Sequence, residues 1–195
     1  FAKTQSNQEF FEVLDVARRI AGNGSLGLDR FVVLVRGNGN PDSNYLLDLK
    51  QAVPSALAPA LTLKQPAWAS EGERVVAVTR RAQAIPVAFL HAVQMNGADY
   101  VLRDLQPSAD RASFVKKDQR DDHLSDLMLA IGKCAAWSHL RGSGRQGAAI
   151  ADQLISFGQD ETWSKILRKT SAACADNVAA EWKEFAEAYD DKIFE

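Results

Sequence analysis

The chain has 195 residues, of which 46% are hydrophobic and 25% charged, so it is long enough to bury a sizeable core and too apolar to be disordered over most of its length. Twenty-three Lys and Arg against 25 Asp and Glu leave a net charge of −2, which excludes a general basic surface for nucleic acid. No apolar run approaches the ~18 residues of a membrane span, and the N-terminus lacks the basic and apolar regions of a signal peptide.

Ser6-Asn7-Gln8-Glu9 has the form of a capping box ahead of Phe10, Phe11 and Leu14, which predicts a short helix over 7–14. A glycine-rich stretch, Gly22-Asn23-Gly24-Ser25-Leu26-Gly27, then leads to the buried strand predicted at Phe31 to Val35. Turn residues from Gly37 to Asp42 precede a second strand, Tyr45 to Lys50. Pro54, Pro59 and Pro66 break the following stretch into turns or single helical turns. A helix is predicted from Ser70, with Val75, Val76 and Val78 on its apolar side, ending before Pro86. Val87 to Met95 and Ala98 to Leu105 flank Asn96-Gly97, a strong short-range hairpin signal.

Residues 108–122 are polar and read as a linker. From His123 the spacing of Leu124, Leu127, Met128, Ile131 and Ala135 predicts a helix to Leu140, stopped by Gly142-Ser143-Gly144. Two more helices are predicted, over 146–156 and 160–190. The second carries Trp163, Ile166, Leu167, Thr170, Cys174, Val178, Phe185 and Tyr189 as one stripe. The expected class is α+β: a β-rich lobe over 1–107 with one inserted helix, the linker, and a helical lobe over 123–195. Cys134 and Cys174 form no CxxC and are too few for a disulfide scaffold. They read as buried free thiols in a reducing cytoplasm, and Trp137, Trp163 and Trp182 read as core.

Gly22-x-Gly24-x-x-Gly27 matches GxGxxG, a weak signal alone. It opens onto a strand, not a helix, which disfavours a dinucleotide-binding turn and suits a hairpin lying over nucleotide phosphates, or an ordinary hairpin whose glycines supply positive φ. On the next strand Asp48 and Lys50 share a face with Leu46, opposite Tyr45, Leu47 and Leu49. Lys50 is placed either to meet phosphate oxygens or to stay solvated on an edge. Glu73, at the start of the inserted helix, either orients Lys50 or folds back as the second member of a Ser70–Glu73 capping box. Residues 137–150 hold no carboxylate and no asparagine, so His139 and Arg141 do not form a phosphoryl-transfer loop. They read as cations favoured at a helix C-terminus. His91, His123 and His139 lack metal-ligand spacing, so no zinc site is expected.

Five blocks carry a family resemblance: Arg19 to Gly27, Leu49-Lys50, Glu71 to Val76, Tyr100 to Pro107, and Ala136 to Arg141 with Gly144 to Gly147. Over residues 15–190 they resemble the C-terminal part of a bacterial family catalogued as domain of unknown function 2252. The resemblance implies a fold like that of protein kinases and aminoglycoside phosphotransferases. Gly22, Gly24, Gly27, Lys50 and Glu73 would correspond to its glycine loop, strand lysine and helix glutamate. Arg103 to Gln106 would join the lobes, and ATP with Mg²⁺ would be the ligand.

The family's Gly-Asp-x-His-x-x-Asn and Asp-Phe-Asp segments, which resemble the catalytic and metal-binding loops, lie upstream of its glycine loop. Neither is in this sequence, so the expectation is a nucleotide-binding module of a phosphotransferase-like protein, which as a whole protein would keep only nucleotide or partner binding and which the initial Phe suggests is a piece of a longer one. Its N-terminal part would supply the base and the Mg²⁺ ligands. Alone it would be inactive, and it would self-associate through the apolar surface left bare. The alternative is a non-enzymatic kinase-like scaffold or protein-binding domain.

Overall fold

A computed structural model describes residues 1–39, 41–110 and 121–194. Five strands form an antiparallel sheet ordered β1-β2-β3-β5-β4. The strands are β1 (Val13–Arg18), β2 (Arg30–Val35), β3 (Tyr45–Gln51), β4 (His91–Met95) and β5 (Ala98–Asp104). Helix α1 (Glu71–Ala82) is inserted between β3 and β4, and α2 (Asp121–Gly142) runs against it. The chain divides into two compact units, Phe1–Gly142 and Ser143–Glu195. The predicted linker over 108–122 falls largely outside the described residues, apart from a 3₁₀ turn at Ser108–Asp110 and the start of α2.

Period-two alternation gives the sheet two unlike faces. One face holds Val33, Val35, Leu47, Leu49, Tyr100 and Leu102, covered by Phe1, Phe10, Phe11, Tyr45 and Phe89. Edge-to-face and tilted ring contacts knit that cover together, with Phe11 and Phe89 centroids 5.1 Å apart at 83°. On the other face α1 packs through Val76 against Leu90 and Val101. Val78, expected on the apolar side of α1, is exposed.

Two devices seat α1 on the sheet. The Ser70 Oγ accepts from the Glu73 N–H at 3.1 Å, and the Asp99 carboxylate of β5 accepts from the Glu71 N–H at 2.9 Å. Gly72 lies so close to β5 that a Cβ there would come within 2.9 Å of the Tyr100 carbonyl oxygen. Gly72→Ala should therefore lift the helix and cost about 1–3 kcal/mol of stability. Urea melts check this; an unchanged midpoint would mean that the helix can slide.

The N-terminal helix predicted over 7–14 is not formed. Glu9–Phe11 make one 3₁₀ turn, in which Asn7, not Ser6, accepts from the Phe10 N–H at 3.3 Å. The chain then extends into β1, an edge strand exposed along its length, whose pairing with β2 is interrupted by a bulge between Val13 and Asp15. The Asn96-Gly97 hairpin forms as expected, with both residues at positive φ (52° and 76°). Strand β4 begins only at His91, because Phe89 also takes positive φ.

The second unit contains α3 (Ala151–Gln159) and α4 (Thr162–Asp190). Helix α3 starts later than the predicted 146 because Gln146 and Gly147 both adopt positive φ. No described residue of this unit is buried. The thiols and tryptophans expected in the core are a correction: Cys134 and Cys174 are exposed, as are Trp137 and Trp182, and Trp163 is half-buried on Phe157. Helical periodicity gathered these side chains onto faces, but no layer among the described residues covers them.

Candidate anion-binding site

The central strand β3 sends Leu47 and Leu49 into the aromatic face and Asp48 and Lys50 to the opposite one. Asp48 is 1% exposed, and a carboxylate buried to that degree must be paired. Its partners come from three separate parts of the chain. Arg30 on β2 grips it bidentately, Nε to Oδ1 and Nη2 to Oδ2, both at 2.7 Å. Arg103 on β5 donates Nε to Oδ2 at 3.2 Å, and Arg19, just past β1, donates Nη1 to Oδ1 at 3.4 Å. Strand register makes this possible, since Asp48 is the Cα partner of Val32 on one side and of Arg103 on the other.

One carboxylate thus faces three guanidinium groups. Burial pushes the Asp48 carboxyl up, but hydrogen bonds and charge from Arg30 and then Arg103 outweigh it and hold the group below the ordinary carboxylate range. The hydrogen bond to Asp48 in turn raises the Arg30 guanidinium, against its own desolvation. Lys50, the Cα partner of Arg30, brings a fourth cation to the face. Its side chain is half-buried and, among the described residues, joins no ion pair. Arg103 and Arg19 keep 47% and 21% of their side chains open to solvent, so the cluster is reachable from outside.

The glycine stretch is rooted in this cluster. It joins β1 to β2, is closed by the Arg19 N–H on the Arg30 carbonyl at 2.8 Å, and is tied at Ala21, whose carbonyl accepts from Arg30 Nη1 at 3.4 Å. Gly22 and Gly27 need their glycines, at φ of 81° and 87°. Gly24 has no such conformation and no atom within 4 Å of where a Cβ would stand. Glu73 lies in the first turn of α1, exposed, with its backbone N–H satisfied by Ser70. Among the described residues no ion pair joins it to Lys50. The neighbouring carboxylate, Glu71, is held instead by Arg74 Nε at 2.6 Å.

His139 and Arg141 lie in the last turn of α2, as a helix C-terminus favours. Among the described residues no three His, Cys, Asp or Glu side chains gather to hold a metal ion. Both oxygens of Asp48 are committed to guanidinium donors, so this face does not fit a Mg²⁺ ligand set. No described helix is long and apolar enough to cross a membrane. Grooves of about 260 and 210 Å³ open beside Phe89, and neither is lined by the glycine stretch or Lys50.

A family described as "Uncharacterized protein conserved in bacteria (DUF2252)" matches residues 2–188. The chain belongs to DUF2252. The match covers most of the chain and both units. No curated protein and no solved structure matches it. In this DUF2252 chain the sequence singled out the three glycines, Lys50 and Glu73 as site residues; it named Arg103 only in a lobe-joining segment and Asp48 only as sharing a face with Lys50, and did not bring Arg19, Arg30, Asp48 and Arg103 together. The available signal was an aspartate set between Leu47 and Leu49 in a strand, where Asp is depleted unless something pairs it.

Proposed function

We propose that the sheet unit of this DUF2252 chain binds a phosphorylated small molecule, a nucleotide held in the kinase-like manner that the resemblance implies. One observation carries the reading: four cations gathered around the buried Asp48, opening at the root of a glycine-bearing loop. Three arginines and Lys50 against Asp48 leave a surplus of positive charge that a polyphosphate complements. In this reading Gly22, Gly24 and Gly27 let backbone N–H groups approach the phosphates, Lys50 contacts them, and Glu73 orients Lys50 once the ligand is bound. Gly24, which the fold does not require to be glycine, supports a role outside folding. ATP is the first ligand to try. Since the face does not fit Mg²⁺ ligands, binding should survive chelation of the metal.

The test is thermal melting with ATP, with and without Mg²⁺, for wild type, Lys50→Ala and Gly24→Ala. At a ligand concentration ~100 times Kd, linkage gives about 2.7 kcal/mol of stabilisation, or about 5–10 °C in Tm. Both variants should melt like wild type without ligand and lose most of the shift with it. If ATP, ADP and inorganic triphosphate all leave wild type unmoved, the reading fails and a scaffold or protein-binding domain takes its place.

A further inference from the structure

We infer that Arg19 and Arg103 are the two arms of a clamp for linked phosphates, so that the site selects a di- or triphosphate over a single phosphate; this rests on the phosphate-binding reading above. Donor use separates the three arginines around Asp48. A guanidinium carries five N–H donors. Arg30 commits Nε and Nη2 to Asp48, both at 2.7 Å, and Nη1 to the Ala21 carbonyl, and only 13% of its side chain is exposed. It is a fixed part of the sheet. Arg103 commits Nε alone, at 3.2 Å, and Arg19 commits Nη1 alone, at 3.4 Å. Contacts of that length lie at the weak end of the hydrogen-bond range. Among the described residues, Nη1 and Nη2 of Arg103 and Nε and Nη2 of Arg19 donate to no partner. These two side chains are also the more open of the three.

Strand order sets where the unused donors stand. Arg19 lies just past β1 and reaches Oδ1 from beyond β2, whereas Arg103 lies on β5, the other neighbour of β3, and reaches Oδ2. The two free ends therefore flank the buried carboxylate from opposite sides. Each keeps a pair of nitrogens in the fork geometry that matches two oxygens of one phosphate. Between them the ionised Asp48 repels an anion placed over the centre and leaves the arms as the favourable positions. A single phosphate fills one arm. Two linked phosphates fill both, and both arms start from one carboxylate, within the reach of a short phosphate chain.

Isothermal titration of the full chain with inorganic phosphate, pyrophosphate, triphosphate and ATP, without divalent cations, tests the clamp. Pyrophosphate and triphosphate should bind about 10- to 100-fold more tightly than phosphate, the factor for one further charge-assisted contact. Arg19→Ala and Arg103→Ala should keep melting curves close to wild type, yet each should bind pyrophosphate no better than phosphate. Arg103→Lys keeps the charge but cannot bond Asp48 and present a fork at once, so it should lose as much as Arg103→Ala. Arg18→Ala, which removes the neighbouring arginine paired with Asp29 at 3.3 Å, should bind like wild type.

If none of the four ligands binds wild type, the phosphate-binding reading falls and the clamp falls with it. Three other results overturn the clamp alone and leave that reading standing: ATP binds while pyrophosphate binds no better than phosphate; Arg103→Lys binds pyrophosphate like wild type; or Arg18→Ala weakens binding as much as Arg19→Ala does.

Discussion

Replacing Asp48 by Ala is expected to cost about 3–5 kcal/mol, the range for removing one partner of a buried ion pair. For a chain of this length that lowers Tm by about 6–20 °C. The loss exceeds that of a single contact because Arg30, with only 13% of its side chain exposed, keeps its charge and loses both of its short hydrogen bonds. Arg19 and Arg103 are left beside it with no counter-charge. Arg103→Ala removes a half-exposed partner and should cost about 1 kcal/mol or less. Urea melts of the two variants check the ordering; equal losses would mean that the network acts as one unit.

The same carboxylate fixes an acid limb. Its folded-state titration lies below the ordinary carboxylate range, so the stability it contributes is fully present above about pH 4 and is lost as pH falls through the folded value. Wild type should therefore weaken below about pH 4, whereas Asp48→Asn, already weakened at neutral pH, should depend on pH less steeply there.

Gly37→Ala is the second large effect. Gly37 sits in the turn between β2 and β3 at φ +61°, and a Cβ there would stand 1.8 Å from the Ser43 carbonyl oxygen. Left-handed backbone strain contributes about 1–2 kcal/mol for alanine. A clash with backbone, which cannot swing aside, adds about 1–3 kcal/mol. Gly39→Ala separates the two contributions, since Gly39 has φ +95° and its nearest neighbour is the flexible Arg36 side chain at 3.9 Å. Only the strain should remain there. If both variants melt alike, the turn relaxes around the new methyl and the packing argument fails.

Much of the sheet is legible because its signals are local. Strand β2 is a β-branched and aromatic run, β3 alternates, Asn96-Gly97 fixes one hairpin, and Ser70 announces α1. Strand β1 is missed for a physical reason: an edge strand with a bulge is exposed on both sides and never shows a clean period of two. The arginine cluster is missed for another. Arg19, Arg30 and Arg103 are far apart in sequence and meet only because strand register places them around Asp48. Among the described residues Lys50 and Glu73, the pair that sequence order suggested, are not bonded to one another: the Ser70 Oγ caps α1 by accepting from the Glu73 N–H, and the Glu73 side chain is exposed.

The unlike faces of the sheet also govern which wrong structures the chain avoids. A slip of β3 by one residue would turn Asp48 and Lys50 into the ring cluster formed by Phe10, Phe31 and Phe89, and would set Leu47 and Leu49 against the guanidinium groups. Each misplaced charge would lose both its water and its partner, a penalty far larger than that of a slipped apolar strand. Mispaired β2–β3 hairpins are thus disfavoured by electrostatics as well as by packing. A sheet assembled from segments as distant as β3 and β5 gains its accuracy from the residues least suited to being buried.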